Sequence, residues 1–303
     1  MYCVEMEHVT KTFGRTVAVN DLSLAVPQSS IYGFIGPNGS GKTTTLRMIM
    51  NIFYPDSGTI RVFGETLRGA SNDRIGYLPE ERGLYKRMKV REILRFYGRL
   101  KNGRNVNARV DEWLERFELT AWAGKKVATL SKGMSQKVQF IAAVVSEPEL
   151  LLLDEPFAGL DPVNADVMRK AVLDLQAAGT TVIFSTHDMN VAERMCNYIF
   201  MIFEGRKVLD GTLEEIQSRY GSDTIRIGVE DGAAALETLP GIMSVRNFGR
   251  IQELRMAAGC DPQKILAEIV GRTRVHHFEI TRPSLHDIFV RIAGPEAKEA
   301  ARA

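Results

Sequence analysis

Cysteine is scarce in this chain and scattered: Cys3, Cys196 and Cys260 are odd in number and form no CxxC pair. That excludes a disulfide framework and a cysteine-ligated zinc site, and fits a reducing compartment. An excess of one charge is also missing. Lys and Arg number 39 against 37 Asp and Glu, a net of +2, so the basic surplus typical of nucleic-acid binding is absent and no nucleic-acid partner is expected. Long apolar runs are missing too. Val138–Val145, apolar but for Gln139, and Tyr198–Phe203 are the longest, and both fall well short of the ~18–20 residues that cross a bilayer. The opening residues Met1–Glu7 lack the basic and then apolar pattern of a signal peptide. If the protein serves a membrane, another chain must do the spanning.

What the chain does have is ordinary globular material: 303 residues, 45% hydrophobic and 25% charged, enough for two domains with real cores. Residues 4–9, 17–26, 31–35, 75–79, 150–153 and 181–185 read as strands. Helical spacing marks Lys42–Phe53, residues 90–118, 136–145 and 163–178, and Met189–Met195. The alternation predicts an α/β domain with a largely parallel sheet over residues 1–220, carrying a helical segment at about 85–145. Ser218–Asp223 reads as a linker. Beyond it, strands at Thr224–Val229, Met243–Phe248, Ile251–Met256 and His276–Ile280, with helices at Ala233–Leu239 and Pro262–Val270, give a βαββαβ order. That order predicts a small ferredoxin-like α+β domain over 221–294. Residues 295–303 are Ala- and charge-rich and are expected to form a frayed tail.

Gly36-Pro37-Asn38-Gly39-Ser40-Gly41-Lys42-Thr43 fits the GxxxxGK[ST] phosphate loop between a predicted strand and a predicted helix. Glycines let the backbone wrap a phosphate, and the helix start adds unpaired donors and a positive dipole end. Lys42 supplies a point charge for the β- and γ-phosphates. Thr43 offers a hydroxyl to Mg²⁺, and Thr44 extends the contact at the helix start. The loop by itself says only that a nucleoside triphosphate binds.

Leu150–Leu153 leads into Asp154 and Glu155. On a strand, neighbours face opposite ways, so the acids can divide the work: Asp154 towards Mg²⁺, Glu155 as general base for an attacking water. Ala158-Gly-Leu-Asp161 follows. His187, in Ser185-Thr-His-Asp188, is placed at the end of another strand, where ligands bind in such sheets. Upstream, Ser131 in Leu130-Ser-Lys-Gly-Met134 is a suitable helix cap beside Gly133, which makes a second anion-binding terminus. One triphosphate needs one cradle, so the second points to a nucleotide held by another subunit. His276 and His277 alternate on a strand and cannot readily share a metal. Trp113, Phe117 and Trp122 read as core.

The order of these motifs resembles the nucleotide-binding subunit of ABC transporters over residues 1–218. The resemblance implies a P-loop NTPase fold of ABC type with a helical subdomain, ATP hydrolysis with Mg²⁺, and a dimer of ATPase subunits, homo- or heteromeric. It also implies a separate transmembrane permease partner, with the chain in the cytoplasm, peripheral on the inner face of the membrane. By the same resemblance Phe13 stacks on adenine, and Glu80, in Gly76-Tyr-Leu-Pro-Glu80, sits where the γ-phosphate and Mg²⁺ meet the membrane partner. Ser131 and Gly133 then contact the ATP of the opposing subunit, and Asp161 bridges the two sites. The chain departs from the family pattern at Glu80 (usually Gln), Lys132 (usually Gly) and Met134 (usually Gln). These departures, with Arg282-Pro-Ser-Leu-His-Asp-Ile-Phe289 near the end, are similar to an exporter-type subgroup with a C-terminal appendage. Soluble ABC ATPases of DNA repair or translation usually carry coiled coils or tandem ATPase domains; this chain has one phosphate loop and no sustained heptads. A non-hydrolysing regulatory binder is a third reading, disfavoured by the presence of both Glu155 and His187.

Overall fold

The computed structural model describes residues 1–66, 73–81, 83–102, 105–220, 224–230, 236, 238–257 and 259–294. The chain divides into two compact units, Met1–Thr212 and Leu213–Ala303. Among the described residues no helix is long and apolar enough to cross a membrane.

The first unit holds two sheets. Strands β1 (Tyr2–Phe13), β2 (Thr16–Pro27), β4 (Ser57–Val62) and β5 (Glu65–Thr66) form an antiparallel sheet in the order β2-β1-β4-β5. The second sheet contains β3 (Ile31–Ile35), β6 (Ile75–Leu78), β7 (Leu150–Asp154), β8 (Thr181–Thr186), β9 (Tyr198–Phe203) and β10 (Arg206–Gly211), in the order β10-β9-β3-β8-β7-β6. All its neighbours are parallel except β10 on β9. Every residue of β3, β7 and β8 is buried, which explains their unbroken apolar sequences: both faces are covered. The pleat sends alternate residues to different cores. Tyr32, Phe34, Leu150 and Leu152 join the core towards the antiparallel sheet, whereas Leu151, Leu153, Val182 and Phe184 join the core beneath the helices.

The helical layer comprises α2 (Val90–Asn102), α3 (Asn107–Arg116) and α4 (Lys132–Val144). Its apolar heart is a ring cluster in which Phe117 lies 5.8 Å from Trp113 and 5.6 Å from Phe140, as expected for core aromatics; Trp122 is half-buried against the same core. Helix α4 starts at Lys132, earlier than the apolar spacing from 136 indicates. The cap sets the start: Ser131 Oγ accepts from the Met134 amide at 3.2 Å, while the first turn itself is polar. Conversely α1 (Lys42–Ile49) stops short of the expected Phe53. Asn51 turns left-handed at φ 59°. The Ile52 amide then reaches back to Arg47 O at 2.9 Å, and the Asn51 amide to Met48 O at 2.9 Å. These two bonds are the Schellman ending, which closes a helix whatever the apolar spacing beyond it. Helices α5 (Pro162–Ala177) and α6 (Met189–Met195) follow β7 and β8.

The second unit begins with α7 (Leu213–Arg219). Ser218 and Arg219, expected in a linker, instead close this helix, and residues 221–223 lie outside the described residues. Strands β11 (Thr224–Val229), β12 (Ile242–Asn247), β13 (Gln252–Met256) and β14 (Val275–Thr281) form an antiparallel sheet in the order β12-β13-β11-β14. With α8 (Pro262–Val270) this is the ferredoxin-like arrangement; most of the helix expected at 233–239 lies outside the described residues, as does the tail 295–303. One sheet face is apolar, with Ile225, Ile227 and Leu254 buried. On the other face the register aligns Arg246, Glu253, Arg226 and Glu279 across all four strands, an alternating-charge row in which each strand presents the sign its neighbour needs. Helix α9 (Leu285–Ala293) is fixed by a capping box between Ser284 and Asp287. Burial alone would raise the Asp287 carboxyl, but Ser284 and Arg246 outweigh it and hold it below the usual range.

Phe140→Ala is expected to cost about 3–5 kcal/mol by emptying the centre of the helical layer. Urea unfolding of the full chain, followed by the fluorescence of Trp113 beside it, reads this directly; an unchanged midpoint would remove the cluster from the core.

Candidate active site

Three parallel strands end side by side. In register, Ile35 at the end of β3 faces Thr186 of β8, and Asp154 at the end of β7 faces Ser185 of β8. The loops that follow therefore open at one edge of the sheet, next to the point where β3 parts β8 from β9, the place where such sheets bind ligands.

After β3 the chain enters the Gly36–Gly41 loop and then α1. Two glycines are obligatory. A Cβ on Gly36 would lie 2.2 Å from Ile202 O, and one on Gly41, at φ 109°, would lie 2.4 Å from Ala18 O. The Gly36 amide is tied to Thr186 O at 3.3 Å, which docks the loop onto β8. Lys42 Nζ donates to Gly36 O at 2.7 Å and Pro37 O at 3.1 Å. Burial pulls its ammonium below the usual lysine range, with Glu155, Asp154 and Glu80 pulling the other way. Ser40 is buried, and its Oγ has no hydrogen-bond partner among the described residues.

The acids sit opposite the loop. Asp154 is 1% exposed. Its Oδ1 accepts from Thr43 Oγ1 at 3.2 Å and from Ser185 Oγ at 2.5 Å. Its Oδ2 is buried without a hydrogen-bond partner among the described residues. Glu155 separates from Asp154 for a reason other than strand alternation. β7 ends at Asp154, and Glu155 turns left-handed at φ 48°, a costly conformation for a residue with a Cβ. Its amide is held by Ser185 Oγ at 3.1 Å and Ser185 O at 3.2 Å. Its Oε1 lies 2.8 Å from His187 Nδ1. His187 is 58% exposed while Glu155 is 9% exposed, so the imidazole covers a buried carboxylate from the solvent side.

Asn38, Gly39, Gly41, Lys42, Thr43, Thr44, Glu80 and Glu155 line one open cleft of about 360 Å³, together with Ala18. Phe13 is 44% exposed, edge-on to Phe53 at 5.2 Å. Among the described residues Ser131, Gly133 and Asp161 do not line this cleft. Ser131 caps α4, and Gly133 lies against Leu160 and Asn164. Asp161 caps α5 by accepting from the Asn164 amide at 3.0 Å, the bond that chiefly holds its carboxyl below the usual range.

Sequence reasoning passed over three buried polar residues. Ser185 bridges Asp154 and Glu155. Gln136 Nε2 donates to Pro156 O at 3.2 Å, and Gln139 Nε2 donates to Pro79 O at 3.3 Å and Glu81 O at 3.1 Å. A signal was present: amides at i and i+3 interrupt an apolar helix face, and a hydroxyl closes an apolar strand.

The chain is similar to known proteins along most of its length. The "ABC transporter" family model matches residues 19–158. The model "ATP-binding protein DrrA1-3-like, C-terminal domain" matches residues 211–293. An uncharacterized ABC transporter ATP-binding protein, YhaQ of Bacillus subtilis (strain 168), is 41% identical over 95% of this chain and 98% of its own. The Nod factor export ATP-binding protein I of Burkholderia lata is 35% identical over 98% of each chain. A solved structure of the ATP binding subunit of an ABC transporter superposes with a TM-score of 0.68 at 29% identity, covering 72% of this chain and 93% of that one.

Ser185→Ala is expected to destabilise the chain by about 1.5–3 kcal/mol, because it removes a hydrogen bond from a buried carboxylate. Urea unfolding measures the loss; no loss would mean Asp154 does not depend on that hydroxyl.

Proposed function

This chain belongs to the ABC transporter family as an ATP-binding subunit that hydrolyses ATP to power transport, and from that premise we propose how its cleft does so. The observation that carries the proposal is the convergence of Lys42, Thr43, Glu80 and Glu155 in one cleft, with Asp154 bonded to Thr43 behind it.

The triphosphate lies along Gly36, Pro37, Asn38, Gly39, Ser40 and Gly41. The Lys42 ammonium exchanges the carbonyls of Gly36 and Pro37 for β- and γ-phosphate oxygens. Thr43 and Thr44 meet the phosphates from the start of α1, where the helix dipole favours negative charge. Phe13, exposed at the end of β1, stacks on adenine. Glu155 polarises the attacking water and accepts its proton. His187 holds the Glu155 carboxylate in one orientation through Nδ1 and can present its other nitrogen to the γ-phosphate.

The donor set fits Mg²⁺. Thr43 Oγ1, the unpartnered buried Oδ2 of Asp154 and Glu80 are hard oxygens close to the phosphate loop, the ligand type this ion takes alongside phosphate. When bound, it would neutralise the charge that develops on the phosphates.

Two ATPase subunits sandwich two nucleotides. Ser131 and Gly133, which lie apart from their own subunit's cleft, supply the helix terminus of α4 to the ATP of the other subunit, and Asp161 lies between the two sites. A homodimer and a heterodimer satisfy this geometry equally. The subunit works on the inner face of the cell membrane through a separate transmembrane permease. The Nod factor export relatives of similar length support movement outward.

Glu155→Gln is expected to bind ATP normally and to hydrolyse it about 10²–10⁴-fold more slowly, as loss of a general base does. Turnover at the wild-type rate would dismiss Glu155 from that role. Lys42→Ala is expected to lose nucleotide binding in a filter assay; normal affinity would sink the phosphate-loop assignment.

A further inference from the structure

Helix α4 carries amide side chains on a face where hydrocarbon would pack well. Gln136 and Gln139 stand three residues apart, on one side of the helix. They are 3% and 5% exposed, with Val138, Phe140 and Ile141 around them fully buried. Both reach out of the helix to the backbone of an acidic loop. Gln136 donates to Pro156 O, immediately after Glu155. Gln139 divides its amide between Pro79 O at 3.3 Å and Glu81 O at 3.1 Å, the two carbonyls that flank Glu80.

Two acceptor carbonyls fix which end of the Gln139 amide faces them, since only the nitrogen can donate to both. That leaves Oε1 buried without a hydrogen-bond partner among the described residues. An orphaned buried acceptor is destabilising. Leu or Met would fill the same space without it, so packing does not account for glutamine at this position. The double bond to residues 79 and 81 does.

Building on the reading of Glu80 as a cleft residue, we propose that Gln139 is a positioning residue for Glu80. Its amide clamps the 79–81 backbone to α4, so the Glu80 carboxylate enters the cleft from a fixed point. The clamp has a direction as well as a location. α4 begins at the Ser131 turn, and a helix moves as a rigid rod. Any displacement of that turn carries Gln139 with it, and with Gln139 the loop that bears Glu80. Gln136 makes the same link to the loop of Glu155. One helix thus couples the terminus offered to the second subunit's nucleotide with both acidic loops of its own cleft.

The test is a double-mutant cycle on the full chain, reading kcat and KM for ATP, with hydrogen exchange of the Leu78, Glu80 and Glu81 amides as a second measurement. Gln139→Met keeps length and volume and removes the donor; Gln139→Leu is run beside it in case one variant fails to fold. Either is expected to lower kcat about 10-fold or more, the usual cost of losing a supporting hydrogen bond at such a site, with KM unchanged. Exchange at those amides should quicken while that of α4 stays as it was. Combined with Glu80→Ala, the substitution should cost nothing further, because it acts through Glu80. Unchanged kcat, or losses that multiply in the double variant, would overturn the inference. If Glu80→Ala itself leaves turnover intact, the assignment of Glu80 falls and this inference falls with it; if Glu80→Ala is impaired and Gln139→Met is not, only the clamp is lost.

Discussion

A carboxylate buried at the meeting point of three strands is the constraint on which this molecule rests. Asp154 is 1% exposed, and a charge so placed is tolerated only with strong partners. Thr43, from the start of α1, and Ser185, from β8, provide them. The same serine holds the Glu155 amide. Strand register, loop conformation and the placement of both acids are therefore one problem with one solution. If β7 slipped by a residue against β8, the carboxylate would lose Ser185 and face the other core. The four leucines of β7 would fit either face, so it is the cost of moving Asp154 into an apolar core without its partners that opposes the slip.

Much of this was legible in the amino-acid order, because the informative residues act locally. The phosphate loop needs glycines for reasons visible in its spacing, and Ser131 announces a helix start through its own hydroxyl. The antiparallel order of the second unit follows from βαββαβ patterning. What could not be read involves backbone or distant partners. Nothing in Leu-Leu-Asp-Glu tells that the strand ends one residue early and that Glu155 turns left-handed. The apolar spacing through Phe53 hides the Schellman ending at Asn51. Gln139 is 58 residues from one of its carbonyl partners, a distance at which sequence pattern carries no information.

The two departures in the Ser131 turn become intelligible in this light. The cap uses Ser131 Oγ and the backbone amide of Met134, so it does not depend on the side chain at 134. Lys132 lies across Gly159: a Cβ there would come within 3.0 Å of Lys132 Nζ. The lysine stem lies over the loop before α5, where the φ of 72° at residue 159 favours glycine. The helix terminus is thereby preserved, and the turn is fastened to the Asp161 segment instead of standing free. In the resemblance these two segments both serve the interface between subunits. Here they also pack on each other within one subunit.

Charge balance ties the remaining departure to the chemistry. Glu80, Asp154 and Glu155 all act on Lys42, and burial alone works to discharge it. An amide at position 80 would leave two carboxylates near one ammonium. The carboxylate makes three, and a triphosphate adds several more negative charges to the same small cleft. On the proposed reading of the cleft, such an arrangement would favour nucleotide that enters with a divalent cation, since like charges at short range in a partly desolvated site repel strongly. Asp154 Oδ2, without a hydrogen-bond partner among the described residues, is where that cation's field would be most needed. On that reading Glu80 would be more than a substitute for the family's amide, because its charge would make a preference for metal-bound nucleotide stricter. A clamp such as Gln139, which fixes where that extra charge stands, then has a physical reason to exist.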